Sequence, residues 1–212
     1  MFFRPNDTIL FQGDSVTDCG RSRQDDNYLG SGYPAIIKSY LDAERPEFGI
    51  RVVNRGVSGD RAKDLASRWD NDCVAVNPDI ISILIGINDT WRRYDSNDPT
   101  GVDSFARTYR GLLERAKTQT KARSIILMDP FVLPTPEDRR EWRVDLDPRI
   151  NAVRDLAREY KAVYVPLDAL FARASIKLGC AALAADGVHP TPVGHALIAR
   201  QWIKAVRLWA IH

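Results

Sequence analysis

The chain has 212 residues, 44% hydrophobic and 27% charged, which suits one domain spanning 1–212 and is short for a (β/α)8 barrel. Its 30 basic and 28 acidic residues leave a formal charge of +2. No basic stripe with interleaved aromatics stands out, so no nucleic-acid partner is expected. No apolar run approaches about 18 residues, which excludes an apolar membrane-spanning helix. Cys19, Cys73 and Cys180 are odd in number and form no CxxC, so they read as free thiols rather than a disulfide or zinc framework. The first residues, MFFRPNDTILFQGDS, leave no room for a secretory leader ahead of a motif, so the expected compartment is the cytoplasm.

Short apolar runs alternate with longer amphipathic stretches along the chain. Strands are predicted over 8–12, 50–54, 79–85, 124–128 and 162–165. They are β-branched or continuously apolar, as strands buried on both faces are. Helices are predicted over 33–41, 62–75, 102–120, 148–160, 167–178 and 192–209. In the last of these Val193, Leu197, Ile198, Trp202 and Ile203 share one face, and Pro192 suits the first helical turn. Repeated strand–helix alternation implies a five-stranded parallel sheet with helices on both faces. Two stretches, 88–101 and 130–147, do not fit the alternation and are expected to be loops. Both follow strands, where ligands bind in open α/β sheets, so they are expected to wall a site.

Four short motifs stand at strand ends or off regular elements. Gly13-Asp14-Ser15 follows the first strand. Taken alone, Ser15 reads equally well as a nucleophile or as a helix N-cap serine. The surroundings are not G-x-S-x-G, so this is no α/β-hydrolase elbow. Of three histidines, His212 is terminal and His195 lies within a helix pattern, where a structural role is favoured. His189 sits in Asp186-Gly187-Val188-His189-Pro190. A turn of that length folds the Asp186 carboxylate onto one imidazole nitrogen and leaves the other for Ser15. The competing reading is an Asp-capped turn. Gly59, in Gly56-Val57-Ser58-Gly59-Asp60, offers a backbone N–H that can approach a reacting centre closely. Asn88, in Gly86-Ile87-Asn88-Asp89, offers an uncharged side-chain donor. Either could also be an ordinary turn residue.

As a set, in this order, the motifs resemble those of the SGNH (GDSL-type) hydrolase family over nearly the whole chain. The resemblance implies a three-layer α/β/α sandwich of flavodoxin-like type. It also implies Ser15 as nucleophile, His189 as base and Asp186 as its orienter. The N–H of Ser15, the N–H of Gly59 and the side chain of Asn88 would form the oxyanion hole. The segments FQGDSVTDCGR, RVVNRGVSGD, ILIGINDTWRRYD and DGVHPTPVGHALIAR are similar to those of bacterial acetylxylan-esterase-type carbohydrate deacetylases. The expected substrate is therefore a small-molecule or oligosaccharide acetyl ester. A lysophospholipase or thioesterase of the same family is the alternative, and an inactive sugar-binding relative is the non-enzymatic one.

Trp91 and Tyr94, just after Asn88, are expected at the site mouth, either stacking on a sugar or packing a loop. Arg139, Arg140, Trp142 and Arg143 make the second loop too polar for a lipid-binding lid, and its arginines are expected to be ion-paired or solvated. Asp14, Asp18 and Asp89 have no histidine at ligand spacing, so no metal and no cofactor are expected. An Arg- and Trp-bearing surface leaves room for a homo-oligomer.

Overall fold

The structure, a computed structural model, describes residues 2–209; His212 lies outside them. The five strands are β1 (Thr8–Gly13), β2 (Arg51–Asn54), β3 (Ile80–Leu84), β4 (Ser124–Met128) and β5 (Val163–Val165). All neighbours are parallel, in the order β2-β1-β3-β4-β5. Ile9 sits between Val52 on one side and Ile80 on the other, and Leu84 pairs with Met128. The chain leaves β1 in one direction to form β2 and returns across it to form β3. The loops after β1 and β3 thus diverge, opening a crevice at the carboxyl edge of the sheet.

Alternate strand residues feed two cores, as the two-residue strand period demands. Ile9, Phe11, Ile80, Ile126, Met128 and Val165 point to one face. There they meet α2 (Tyr33–Glu44), α7 (Leu167–Leu178) and α9 (Pro192–Trp209). Leu10, Val53, Ile81, Ile83, Ile125 and Leu127 point to the other. There they meet α3 (Ala62–Ser67), α5 (Val102–Gln119) and α6 (Arg143–Glu159). The result is the three-layer sandwich. One polar exception crosses the first core: the fully buried Trp202 donates its indole N–H to Ser82 Oγ at 3.0 Å, which removes the penalty of burying either group unpaired.

Three expectations need correction. The stretch 88–101 is not a loop. It holds most of α4 (Ile87–Ser96), which starts after Gly86 at φ 129° and stops at Asn97 in the left-handed region at φ 51°. Only its first turn is buried, so the sequence shows no long apolar stripe. The stretch 130–147 begins with four buried residues, Pro130 to Leu133, and its end is already helical. Helix α6 starts at Arg143, five residues before the proline read as its start. Buried Trp142 and Leu146 anchor that first turn, and Leu146 N–H bonds to Trp142 O at 2.9 Å. Finally, the helix expected over 62–75 breaks at Arg68 and continues as a wider π-type turn over Asp70–Val74.

Candidate active site

Ser15 opens the four-residue helix α1 (Ser15–Asp18) directly beyond β1. Gly13 makes the approach possible, because a Cβ there would lie 2.4 Å from Leu84 O and 2.3 Å from Thr17 Oγ1. Asp14 caps the helix by accepting Val16 N–H at 3.0 Å. Its other carboxylate oxygen is buried without a partner among the described residues. Burial, with further help from the charges of Asp89 and Asp60, pushes this carboxyl up to about 7 against the pull of the Val16 bond.

Ser15 Oγ lies 2.9 Å from His189 Nε2. On the far side of the ring, His189 Nδ1 is 2.6 Å from Asp186 Oδ2. Asp186 Oδ1 accepts the N–H groups of Val188 at 3.0 Å and His189 at 2.8 Å. The segment is therefore folded around its own carboxylate. Burial pushes Asp186 up, but the bonds from the His189 ring and the two amides outweigh it and hold the carboxyl below its usual range. An ionised Asp186 fixes the proton of a neutral His189 on Nδ1 and leaves Nε2 to accept from Ser15. The turn itself is pinned to the second loop, where Leu133 N–H donates to Gly187 O at 2.9 Å. Gly187 has φ +83°, and a Cβ there would lie 2.4 Å from Thr135 O.

A cavity of about 420 Å³ opens over these residues. Gly59 and Asn88 line it with Ser15 and His189. Gly59 follows β2, has φ +88°, and faces open space where a side chain would be. Asn88 is 3% exposed, in the first turn of α4. Its Nδ2 donates to Asp60 O at 3.0 Å, and its Oδ1 faces Arg92 Nη2 at 3.4 Å. An amide nitrogen carries two hydrogens, so one remains after the bond to Asp60. The residues singled out from the ends of β1, β2 and β3 and from the Asp186–His189 turn are thus brought together around one cavity.

Trp91 also lines the cavity, its ring 5.8 Å from that of His189 and 5.2 Å from that of Trp142. The guanidinium of Arg139 lies over both indoles, 5.2 Å from Trp91 and 4.1 Å from Trp142. Tyr94 is not among the residues lining the cavity. Its ring stacks on Trp142 at 5.3 Å, and its hydroxyl donates to Glu141 O at 2.9 Å and Asp145 Oδ2 at 3.1 Å. The expected place of Tyr94 at the site mouth is therefore corrected: it ties α4 to α6. In the second loop Arg139 pairs with Asp138, Arg140 with Glu137 and Arg143 with Asp168.

The motif reading passed over Cys19 as a wall of the cavity. Its Sγ lies 3.3 Å from His195 Nε2, and both residues line the cavity. His195 is buried, its Nδ1 accepts Tyr33 N–H at 3.3 Å, and burial pushes its imidazole down to about 4, so it stays neutral. Asp18, Asp14 and Asp89 each accept a backbone N–H. Asp18 Oδ2 accepts both the Ser58 N–H and the Ser58 hydroxyl O–H at 3.1 Å, and Asp89 accepts Ala62 N–H at 3.0 Å. Ser58 thus serves to hold the Gly59 loop. No sequence signal marks Cys19, because its partner is 176 positions away.

Residues 11–197 match the GDSL-like Lipase/Acylhydrolase family. An acetylxylan esterase from Geobacillus stearothermophilus is 40% identical over 206 residues, covering 93% of each chain. The structure of a variant of Axe2, an acetyl xylan esterase from that organism, superimposes with a TM-score of 0.89 at 39% identity over 97% of both chains. LAE5, an alpha/beta hydrolase enzyme from the metagenome of Lake Arreo, Spain, gives the same TM-score at 32% identity over 97% of both chains. Another Axe2 variant, described as an acetyl-xylooligosaccharide esterase, gives 0.87 at 38% identity, covering 97% of this chain and 96% of that one. With a family match that encloses Ser15, Gly59, Asn88, Asp186 and His189, this chain belongs to the GDSL-like lipase/acylhydrolase family.

Proposed function

We propose that this protein is a serine esterase that removes acetyl groups from xylo-oligosaccharides. The observation that carries the reading is the hydrogen-bonded series Ser15–His189–Asp186, with steps of 2.9 and 2.6 Å, opening into the cavity that Gly59 and Asn88 line. Ser15 Oγ attacks the ester carbonyl carbon while His189 Nε2 takes its proton. The carbonyl oxygen becomes an oxyanion, held by the N–H of Ser15, the N–H of Gly59 and the free hydrogen of Asn88 Nδ2. Asp186 stays ionised and stabilises the imidazolium. His189 then gives its proton to the departing sugar oxygen, leaving acetyl on Ser15. Water, activated by the same imidazole, attacks the acyl-enzyme, releases acetate and restores the serine.

Two features support a short acyl group and a sugar. Among the described residues that line the cavity there is no Leu, Ile, Val or Phe, so no apolar groove is offered to a long chain. Trp91 supplies an aromatic wall beside His189. The substrate class follows that of the acetylxylan and acetyl-xylooligosaccharide esterases this chain is similar to.

The test is hydrolysis of acetylated xylo-oligosaccharides and of a p-nitrophenyl ester series. Turnover is expected to be fastest for acetyl, lower for butyryl and almost nil beyond about eight carbons, and Ser15→Ala is expected to abolish it without changing the circular dichroism. Each methylene in an apolar pocket gains ~0.8 kcal/mol, so kcat/KM rising steadily with chain length would mark a lysophospholipase or thioesterase instead. Hydrolysis surviving in folded Ser15→Ala would overturn the mechanism.

A further inference from the structure

Arg68 lies behind the site, just after α3, with its side chain 17% exposed. All three guanidinium nitrogens are engaged. Nη2 donates to Gly13 O at 3.1 Å. Nη1 donates to Arg55 O at 2.7 Å, with Asp72 Oδ2 at 2.7 Å and Gln12 Oε1 at 3.1 Å sharing its two hydrogens. Nε donates to Asp60 Oδ2 at 2.6 Å.

The partners matter more than their number. Gly13 is the last residue of β1, two positions before Ser15, and its carbonyl also accepts Val57 N–H at 3.0 Å. Arg55 and Asp60 bracket the loop that carries Gly59. Asp60 in turn holds Asn88 through its backbone carbonyl. One planar group therefore touches the nucleophile turn and both ends of the Gly59 loop, and reaches Asn88 through a single intermediary. Arginine suits this role because its five donors sit in a rigid fork. A lysine would supply the charge without the fixed angles.

We propose that Arg68 is a positioning residue for ester hydrolysis, setting the spacing between Ser15 and the donors that receive the oxyanion. This rests on the roles given above to Ser15, Gly59 and Asn88. Those donors work only within about 2.7–3.1 Å of the oxyanion, and a displacement of about 1 Å costs on the order of 100-fold in rate. A residue that sets their spacing should therefore act on kcat and leave substrate affinity alone.

The experiment uses Arg68→Lys and Arg68→Ala, with p-nitrophenyl acetate turnover and the rate of covalent trapping by an aryl phosphonate ester, which places a tetrahedral oxyanion on Ser15. Both measurements are made well below each variant's Tm, and Arg68→Lys alone decides if Arg68→Ala does not fold. The expected result is a fall of about 10- to 100-fold in kcat, KM within about twofold of wild type, and phosphonate trapping slowed by a similar factor. A kcat within about twofold of wild type overturns the inference, and so does a loss of kcat that trapping does not share. Ser15→Ala in the same assay separates the two claims. Turnover surviving there removes the nucleophile assignment; turnover abolished there but normal in Arg68→Lys removes only the role of Arg68.

Discussion

Asn88 offers the sharpest test of the proposed oxyanion hole, because one of its two amide hydrogens is already engaged and the other is the proposed donor. One is bound to Asp60 O at 3.0 Å, and the other remains on a residue that lines the cavity and is 3% exposed. Asn88→Ala removes both. The loss of one preorganised oxyanion donor is worth about 3 kcal/mol, or roughly 100- to 1,000-fold in kcat. The loss of the Asp60 bond adds about 1 kcal/mol of lower stability, visible in Tm and separable from the kinetics. Asn88→Asp is the harsher change despite its matching shape. It turns the donor into an acceptor, sets a carboxylate against Asp60 O, and places negative charge beside the developing oxyanion. At about 4 Å two like charges near a protein surface repel by about 4 kcal/mol. Steady-state hydrolysis of p-nitrophenyl acetate is the assay, with kcat and KM resolved. The expected order is wild type, then Ala, then Asp, all in kcat. A change confined to KM, or an Asp variant as active as wild type, would refute the reasoning.

Two further perturbations follow from the surroundings of the site. Asp14 is an ordinary carboxyl when unfolded but is pushed from 3.8 up to about 7 when folded, a difference worth on the order of 4 kcal/mol. A raised carboxyl binds more protons in the folded state, so its contribution is full below the unfolded value and is lost as pH rises through about 7. Asn at this position keeps an acceptor for Val16 N–H but does not titrate. The stability of Asp14→Asn relative to wild type should therefore climb between about pH 4 and pH 7 and level off above; urea unfolding at several pH values checks this, and parallel pH curves would show that folding does not shift the Asp14 carboxyl. Trp91→Ala should raise KM for an acetylated xylo-oligosaccharide more than for p-nitrophenyl acetate, since only the former has a sugar chain to meet the indole. Equal effects on both would confine Trp91 to packing against His189 and Trp142.

The strands were legible because burial on both faces leaves a nearly continuous apolar signature, as in Ile125–Met128 of β4. Helix α4 was not, because it buries four residues at one end and then turns charged. Pro148 misled the reading of α6, since a proline commonly opens a helix and here sits inside one whose start is anchored by Trp142 and Leu146. At the site, Ser15, Gly59, Asn88 and the Asp186–His189 pair could be found because each lies in a short local motif at a strand end or turn. Tyr94 was misplaced because sequence proximity to Trp91 says nothing of Trp142, which captures its ring. Arg68 and Cys19 act through partners as far as 56 and 176 positions away, and no local pattern encodes such contacts.

The span between nucleophile and base has a consequence for when the protein becomes active. Ser15 and His189 meet across 174 positions. The first directly follows β1, and the second is made only after all five strands. Neither is fixed to the other by a shared helix or strand: His189 hangs on a turn held by Asp186, Gly187 and the loop at Leu133. A nascent chain therefore carries an unarmed serine while β2 to β5 are being made. Local opening of that single turn would part base from nucleophile and unseat Val188 from the small cluster around Trp142, with no residue of the turn belonging to either face of the sheet core. Heating should accordingly silence the enzyme before it melts.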